Sequence, residues 1–282
     1  MKVLFLILNY KTYQETITLT EKLCEEGLDD KFILIVDNAS PNNSFEILRQ
    51  RLSNTKNVEI IASPDNGGFA KGNNYGLRYA KKYNPKYVCI INNDVLFSVV
   101  TIDNLCKWYE RLPSVGFISP IQILPDGREA LFGNMDVPTI WTDMSQYTPF
   151  RKYHKYVENT NIKGVQEIGI IPGAFTFTSY SKFESLGFFY DDTFLFCEER
   201  FIAKEAQLAG LKNYIILDET YLHAHSITIR NEASEKKQRK MILEGRCMYY
   251  KKYSRTPFFC ILMLRTAYVL KELLLLITRR KK

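Results

Sequence analysis

Two glutamates stand side by side at the end of an aromatic stretch, Gly187-Phe-Phe-Tyr-Asp-Asp-Thr-Phe-Leu-Phe-Cys-Glu-Glu-Arg200, where a helix running to Gly210 is expected to begin. A carboxylate partly desolvated by aromatic neighbours has a raised pKa and can take a proton as a general base. The plainer reading of Glu198 and Glu199 is that acids favour the first turn of a helix because of its macrodipole. Asp191 and Asp192 fall in a turn just before them. A second cluster, Asn92-Asn93-Asp94, ends the apolar run 87–91. A carboxylate there can hold Mg²⁺ or Mn²⁺ against a diphosphate, because hard cations prefer oxygen ligands and share them with substrate phosphates. His223 and His225, two of the three histidines, follow the apolar run 214–217. In an extended strand both would face one side, so either could join such a metal. The alternative is a hydrogen-bonded structural histidine beside Ser226.

These residues must be positioned by something, and the N-terminal part alternates strand and helix signals. Apolar runs at 3–8, 32–36, 58–62 and 87–91 read as short strands, and segments 16–26, 45–52 and 73–82 read as helices between them. The pattern predicts βαβ units in a mostly parallel sheet. Ligands of open α/β sheets bind beyond the carboxyl ends of the strands. Asn9/Tyr10, Asp37/Asn38 and Asn92–Asp94 each follow an apolar run directly, so all three clusters are expected along one edge. Between the second and third lies Asn66-Gly67-Gly68-Phe69-Ala70-Lys71-Gly72-Asn73-Asn74. Its paired glycines allow close backbone approach and Lys71 could reach a phosphate, although it is neither a Walker A loop nor G-x-G-x-x-G. The stretch of about 120–169 is irregular, with four prolines.

Composition bounds the alternatives. At 282 residues and 46% hydrophobic the chain supports a sizeable core. Its six cysteines are scattered, which favours a reducing compartment, with the cytoplasm as the default, and argues against a disulfide framework or structural zinc. The start, MKVLFLILNY, lacks a cleavage site and reads as a buried strand. The net charge of +7 is unevenly placed: residues 230–282 hold 15 Lys/Arg against 4 Asp/Glu. The body is therefore mildly acidic, which argues against nucleic acid as a partner.

Taken together, the segments ILNYKTYQET, LIVDNASPNNS, NGGFAKGNNYGLRYA, YVCIINNDVLF, PGAFTFTSYSKFESLGFF and TFLFCEERFIAKEAQLAG resemble the family-2 glycosyltransferases of the GT-A fold, especially bacterial rhamnosyltransferase-like members. The resemblance runs from about residue 3 to 226 and is weakest over 120–169. It implies a catalytic domain over 1–229, with a nucleotide-binding half of about 1–119 and an acceptor-side half of about 120–229. It implies that Asn9, Tyr10 and Asp37 line the nucleoside pocket and that Asn66, Gly67, Lys71, Asn74 and Asn93 flank the donor. Asp94 would take the place of the family's metal-binding aspartate. Glu198-Glu199 would stand for the Glu-Asp pair that holds the catalytic base, with Glu199 in the aspartate position and Glu198 as the alternative. His223 best matches the later metal-binding histidine, with His225 as the fallback. The implied reaction is a single inverting displacement with Mg²⁺ or Mn²⁺, from dTDP-rhamnose or a UDP-hexose to a saccharide hydroxyl in surface polysaccharide synthesis.

Segment 257–277 is strongly apolar but interrupted by Arg265, Lys271 and Glu272, and it leads into Arg-Arg-Lys-Lys. A basic amphipathic helix of this kind suits the plane of an anionic membrane. The expectation is a C-terminal extension, 230–282, holding a cytoplasmic enzyme on the inner membrane face near a lipid-diphosphate-linked acceptor. A helix packed on the catalytic domain, or a homo-oligomer interface, is the alternative. Two further readings of the whole chain are a sugar-phosphate nucleotidyltransferase and a non-catalytic nucleotide-sugar-binding subunit.

Overall fold

The structure, a computed structural model, describes residues 2–130, 137–147, 162–224 and 235–279, the final two of these by backbone alone. The first half follows the expected alternation: β1 (Val3–Asn9), α1 (Tyr13–Glu25), β2 (Lys31–Asp37), α2 (Ser44–Leu52), β3 (Val58–Ala62), α3 (Gly68–Ala80) and β4 (Tyr87–Ile91). These strands pair in parallel in the order β3-β2-β1-β4. Their apolar runs are continuous because both faces are covered. Alternate residues serve two cores: Val3, Phe5 and Ile7 pack with Leu19 and Leu23 of α1, whereas Leu4 and Leu6 pack with Ala70 and Leu77 of α3.

Beyond β4 the sheet is mixed rather than mostly parallel. It adds β5 (Val95–Leu96), then α4 (Val99–Arg111), β6 (Val115–Ile123), α5 (Ile140–Ser145), β7 (Val165–Ile168), β8 (Phe175–Ser179) and α6 (Tyr180–Ser185). After these come α7 (Glu198–Leu208) and β9 (Lys212–His223). β8 runs antiparallel between β4 and β6, and β9 pairs with β6 in parallel and with β5 and β7 antiparallel. The irregular middle of the sequence thus supplies strands to the same sheet. Their pairing is non-local, which a local apolar pattern does not encode.

Helix α3 starts at Gly68, five residues earlier than its apolar spacing suggests, and its glycines explain the close packing. A Cβ on Gly72 would stand 2.6 Å from Leu8 Cδ1, and one on Gly76 would stand 2.5 Å from Leu6 Cδ1. Both glycines let α3 lie against β1, so Gly72 is a packing residue and not part of a phosphate loop.

The last two helices, α8 (Glu235–Tyr253) and α9 (Pro257–Arg279), pack back on the body. Leu243, Cys247, Tyr249 and Tyr250 of α8 and Cys260 and Leu264 of α9 form a third core with Cys197 and Phe201. Arg239 of α8 donates to Glu272 of α9 at 2.6 Å, and Lys252 and Tyr253 donate to Glu205 of α7 at 2.8 and 2.6 Å. The other side of α9 is apolar and exposed, with Phe258, Leu262, Leu270, Leu273 and Ile277 more than half exposed. Among the described residues, no helix is long and apolar enough to cross a membrane.

Candidate active site

The register aligns the strand ends. Asn9 pairs with Asp37 across β1 and β2, and Ile7 pairs with Ile91 of β4, so the clusters that follow share one edge. A cavity of about 730 Å³ opens there, lined from this edge by Tyr10, Thr12, Asn38, Asn66 and Asn92–Asp94. Its other walls come from the 170–174 loop, from Phe194–Phe196, from Glu198 and Glu199, and from His223, Lys237 and Met241.

Asp94 and His223 meet because β5 pairs with β9. Val95 stands opposite His223, and the Ala224 amide donates to the Asp94 carbonyl at 3.0 Å. The side chains face each other with His223 Nε2 3.2 Å from Asp94 Oδ1, both nearly buried. Asp94 Oδ1 makes no hydrogen bond to protein. A buried, unbonded carboxylate oxygen beside an imidazole nitrogen is a donor set that suits a divalent cation. Among the described residues no third His, Cys, Asp or Glu completes such a group. Further ligands would therefore be phosphate oxygens and water, the usual arrangement for Mg²⁺ at a diphosphate. His225 lies outside the described residues, as do residues 280–282 of the basic tail.

Glu198 and Glu199 are aimed by a strained turn. Phe196 and Cys197 both adopt left-handed backbone, with φ of 72° and 74°. Each such residue costs on the order of 1–3 kcal/mol and persists only where packing holds it. Cys197 is held by the third core, and Gly245 of α8 approaches so closely that a Cβ there would lie 3.0 Å from Cys197 Sγ. Burial, and then the neighbouring Glu199, push the Glu198 carboxyl up to about 8. Burial also raises Glu199, opposed by the backbone N–H of its helix turn and by the charges of Arg200 and Arg246. Glu198 is buried and Glu199 half-buried, and two adjacent carboxyls in such surroundings do not both ionise readily.

The remaining sequence candidates divide into two groups. Tyr10, Asn66 and Asn93 line the cavity. Asn93 is held by donating to Thr12 Oγ1 at 2.7 Å and to Thr16 Oγ1 at 2.9 Å, and Asn66 accepts from Asn38 at 2.9 Å. Asn9 and Asp37 are buried beside the cavity and hold each other: Asn9 Nδ2 donates to Asp37 Oδ2 at 2.7 Å, and Ser40 donates twice to the same carboxylate. Asn74 is a clasp, since it donates to the Phe189 carbonyl at 2.8 Å and accepts from the Phe189 amide at 3.0 Å. Gly67 and Lys71 are not among the residues lining the cavity. Gly68, with φ of 86°, lies on the backbone of the 190–196 loop, where a Cβ would stand 2.1 Å from the Phe194 carbonyl oxygen.

Asn38, part of the expected strand-end cluster, lines the cavity, whereas sequence reasoning missed Gln122, the 170–174 wall and the contribution of α8. It also missed a buried cluster on Asp143 of α5. Arg200 grips that carboxylate with both nitrogens at 2.6 and 2.7 Å, and Tyr250 donates to it at 2.8 Å. Arg246 approaches at 3.4 Å. The only sequence signal was the placement of Arg200 next to the glutamate pair.

The sequence model of the family described as glycosyl transferase family 2 matches residues 5–187. Among curated proteins, the minor teichoic acid biosynthesis protein GgaB of Bacillus subtilis (strain 168) is 27% identical over 85 residues, which is 30% of this chain but 9% of that protein. The chain thus spans under a tenth of that relative's length. Among solved structures the fold is similar to that of the mannosyltransferase PcManGT from Pyrobaculum calidifontis in complex with GDP-Man and Mn²⁺. The TM-score is 0.62 at 16% identity, covering 94% of this chain and 73% of that one. It is also similar to S. aureus TarS 1-349 in complex with UDP-GlcNAc, with TM-score 0.61 at 13% identity over 94% of this chain and 70% of that one. At these identities the likeness establishes the fold alone, the α/β fold of GT-A glycosyltransferases.

Proposed function

The chain belongs to glycosyl transferase family 2, and on that premise we propose that it transfers a sugar from a nucleoside-diphosphate donor to a hydroxyl group with inversion. The observation that carries the reading is convergence: Asp94 and His223, more than 100 residues apart in sequence, line the same cavity as Glu198 and Glu199.

In this proposal Glu199 takes the proton of the acceptor hydroxyl as that oxygen attacks the anomeric carbon. Burial raises both carboxyls, but the charges of Arg200 and Arg246 oppose it at Glu199, which makes Glu199 the member of the pair that serves as base. Asp94 and His223 would hold Mg²⁺ or Mn²⁺, which supplies positive charge to the departing diphosphate. The PcManGT complex contains GDP-Man and Mn²⁺, which supports a divalent metal. Tyr10, Asn66 and Asn93 flank the donor, and Phe194 and Phe196 give the cavity an aromatic wall. Membership of this family leaves the nucleotidyltransferase reading without support.

The resemblance of the sequence favours dTDP-rhamnose as donor. The acceptor is proposed to be a hydroxyl of a cell-surface glycan on a lipid diphosphate, supported by the stretch shared with a teichoic acid biosynthesis protein. The exposed apolar side of α9 is proposed to lie on an anionic membrane, since residues 230–282 carry 15 basic against 4 acidic residues. Nucleotide release from dTDP-rhamnose, UDP-glucose, UDP-galactose, UDP-GlcNAc and GDP-mannose, with Mn²⁺ and with EDTA, tests the proposal. Metal-dependent turnover that falls about 10²- to 10⁴-fold in Glu199→Gln is expected. Full turnover in both Glu199→Gln and Glu198→Gln, or none in the wild type, would leave the non-catalytic subunit as the better reading.

A further inference from the structure

The Asp143 cluster reaches the glutamate pair through Arg200, the residue that follows Glu199, and joins three elements that are far apart in sequence. Asp143 comes from the six-residue helix α5, Arg200 from the first turn of α7, and Arg246 and Tyr250 from α8. The Asp143 carboxylate is 2% exposed, and the guanidinium side chains of Arg200 and Arg246 are each 12% exposed. Both of its oxygens are occupied: Oδ1 by Arg200 Nη2 at 2.6 Å and Oδ2 by Arg200 Nη1 at 2.7 Å and the Tyr250 hydroxyl at 2.8 Å. Arg246 Nε lies 3.4 Å from Oδ1, and its guanidinium stacks over the Tyr147 ring at 5.4 Å.

The charge balance is uneven. One carboxylate faces two guanidinium groups, and arginine does not lose its proton in a protein. The carboxyl group that both arginines also act on is Glu199. If either arginine were released by Asp143, the low-dielectric surroundings would favour an ion pair with Glu199. Such a pair would hold the base as a stable anion and weaken its pull on a hydroxyl proton.

We propose that Asp143 is a positioning residue for the catalytic base: by gripping Arg200 and bordering Arg246 it keeps both cations from pairing with Glu199. Helix α8 thereby becomes part of the catalytic electrostatics, and the C-terminal extension is needed for turnover as well as for location. The cluster is itself stable as an ion group, since Arg200, Arg246 and Tyr250 hold the Asp143 carboxyl below the ordinary aspartate range although burial alone would raise it. The charged and titratable groups around Glu199 are Glu198, Arg200 and Cys197 on its own segment and Arg246 on α8. Asp94, His223 and Lys237 line the same cavity.

The inference rests on Glu199 being the base, and its test is chosen not to require a donor. In the full chain, the Glu199 carboxyl ¹³C resonance, assigned by its loss in Glu199→Gln, is followed through a pH titration. Asp143→Asn leaves the two arginines under-compensated, so the Glu199 midpoint should fall by about one pH unit. Arg246→Gln removes a cation, so the midpoint should rise by a similar amount, and Arg246→Lys should return it toward the wild-type value. A role in packing alone predicts no such opposed signs. Midpoints that stay fixed, or that move the same way in Asp143→Asn and Arg246→Gln, overturn the proposal. If Asp143→Asn does not fold, the rise in Arg246→Gln and its reversal by lysine decide the matter. Opposed shifts in a protein with no turnover on any nucleotide sugar would support the electrostatic coupling and sink the assignment of Glu199 as base.

Discussion

At the scale of the residue, the chemistry depends on carboxyl groups placed where water is scarce. Glu198 is nearly buried and its Oε1 makes no hydrogen bond to protein, so its charged form is costly. Its folded pKa of about 8 lies above its ordinary value of 4.5. The folded state therefore holds the proton more tightly than the unfolded state, and the associated stability is fully present below about pH 4.5. It is lost as pH rises toward about 8. Glu198→Gln cannot ionise, so it should match the wild type near pH 4 and exceed it by a few kcal/mol, on the order expected for a buried carboxylate, at pH 8. Urea unfolding at the two pH values measures the difference, and a constant offset would refute it. Asp94→Asn should abolish any Mn²⁺-induced rise in melting temperature, because a ligand that binds only the folded state raises apparent stability.

At the scale of the element, the site is built by loops clamped onto helix ends. Gly68 opens α3 with φ of 86° and touches the Phe194 backbone, while Asn74, nearly two turns further on, holds Phe189. Helix α3 thus anchors the 189–196 loop that carries the aromatic wall to the glutamates. Gly68→Ala should destabilise by about 1–3 kcal/mol from backbone strain, and by more from the clash with the Phe194 carbonyl. Gly27→Ala is the control, because Gly27 has φ of 96° but open space around it. Chemical denaturation of both variants separates strain from clash, and equal losses would show that the Gly68 contact is unimportant. The motif that carries these residues was legible as a site marker, but its parts were not. Asn66 lines the cavity, whereas Gly72, Gly76 and Asn74 serve packing and loop attachment.

At the scale of the whole molecule, the last helices belong to both the active centre and the surface. One side of α9 carries Cys260 and Leu264 into the third core, so deleting the helix would damage the fold along with any membrane contact. A sharper test keeps the helix and changes its exposed side. Leu270→Glu with Leu273→Glu should leave the melting temperature within a few degrees, since surface substitutions usually cost under about 0.5 kcal/mol each. Co-sedimentation with phosphatidylglycerol vesicles should fall at least tenfold. Unchanged sedimentation would argue that this side meets protein instead.

What the amino-acid sequence determined by itself was local: the four parallel strands, the shared edge at their ends, and residues such as Asp94, His223 and Glu198-Glu199 whose types suit metal and proton chemistry. These are readable because apolar period and strand-end polarity are properties of short segments. Only the tertiary structure decided what those residues meet. The pairing of β5 with β9 brings His223 to Asp94, and the return of α8 sets Arg246 and Tyr250 on Asp143. Both are contacts across more than 100 residues, set by sheet order and by burial of a third core, and no spacing within a segment encodes them.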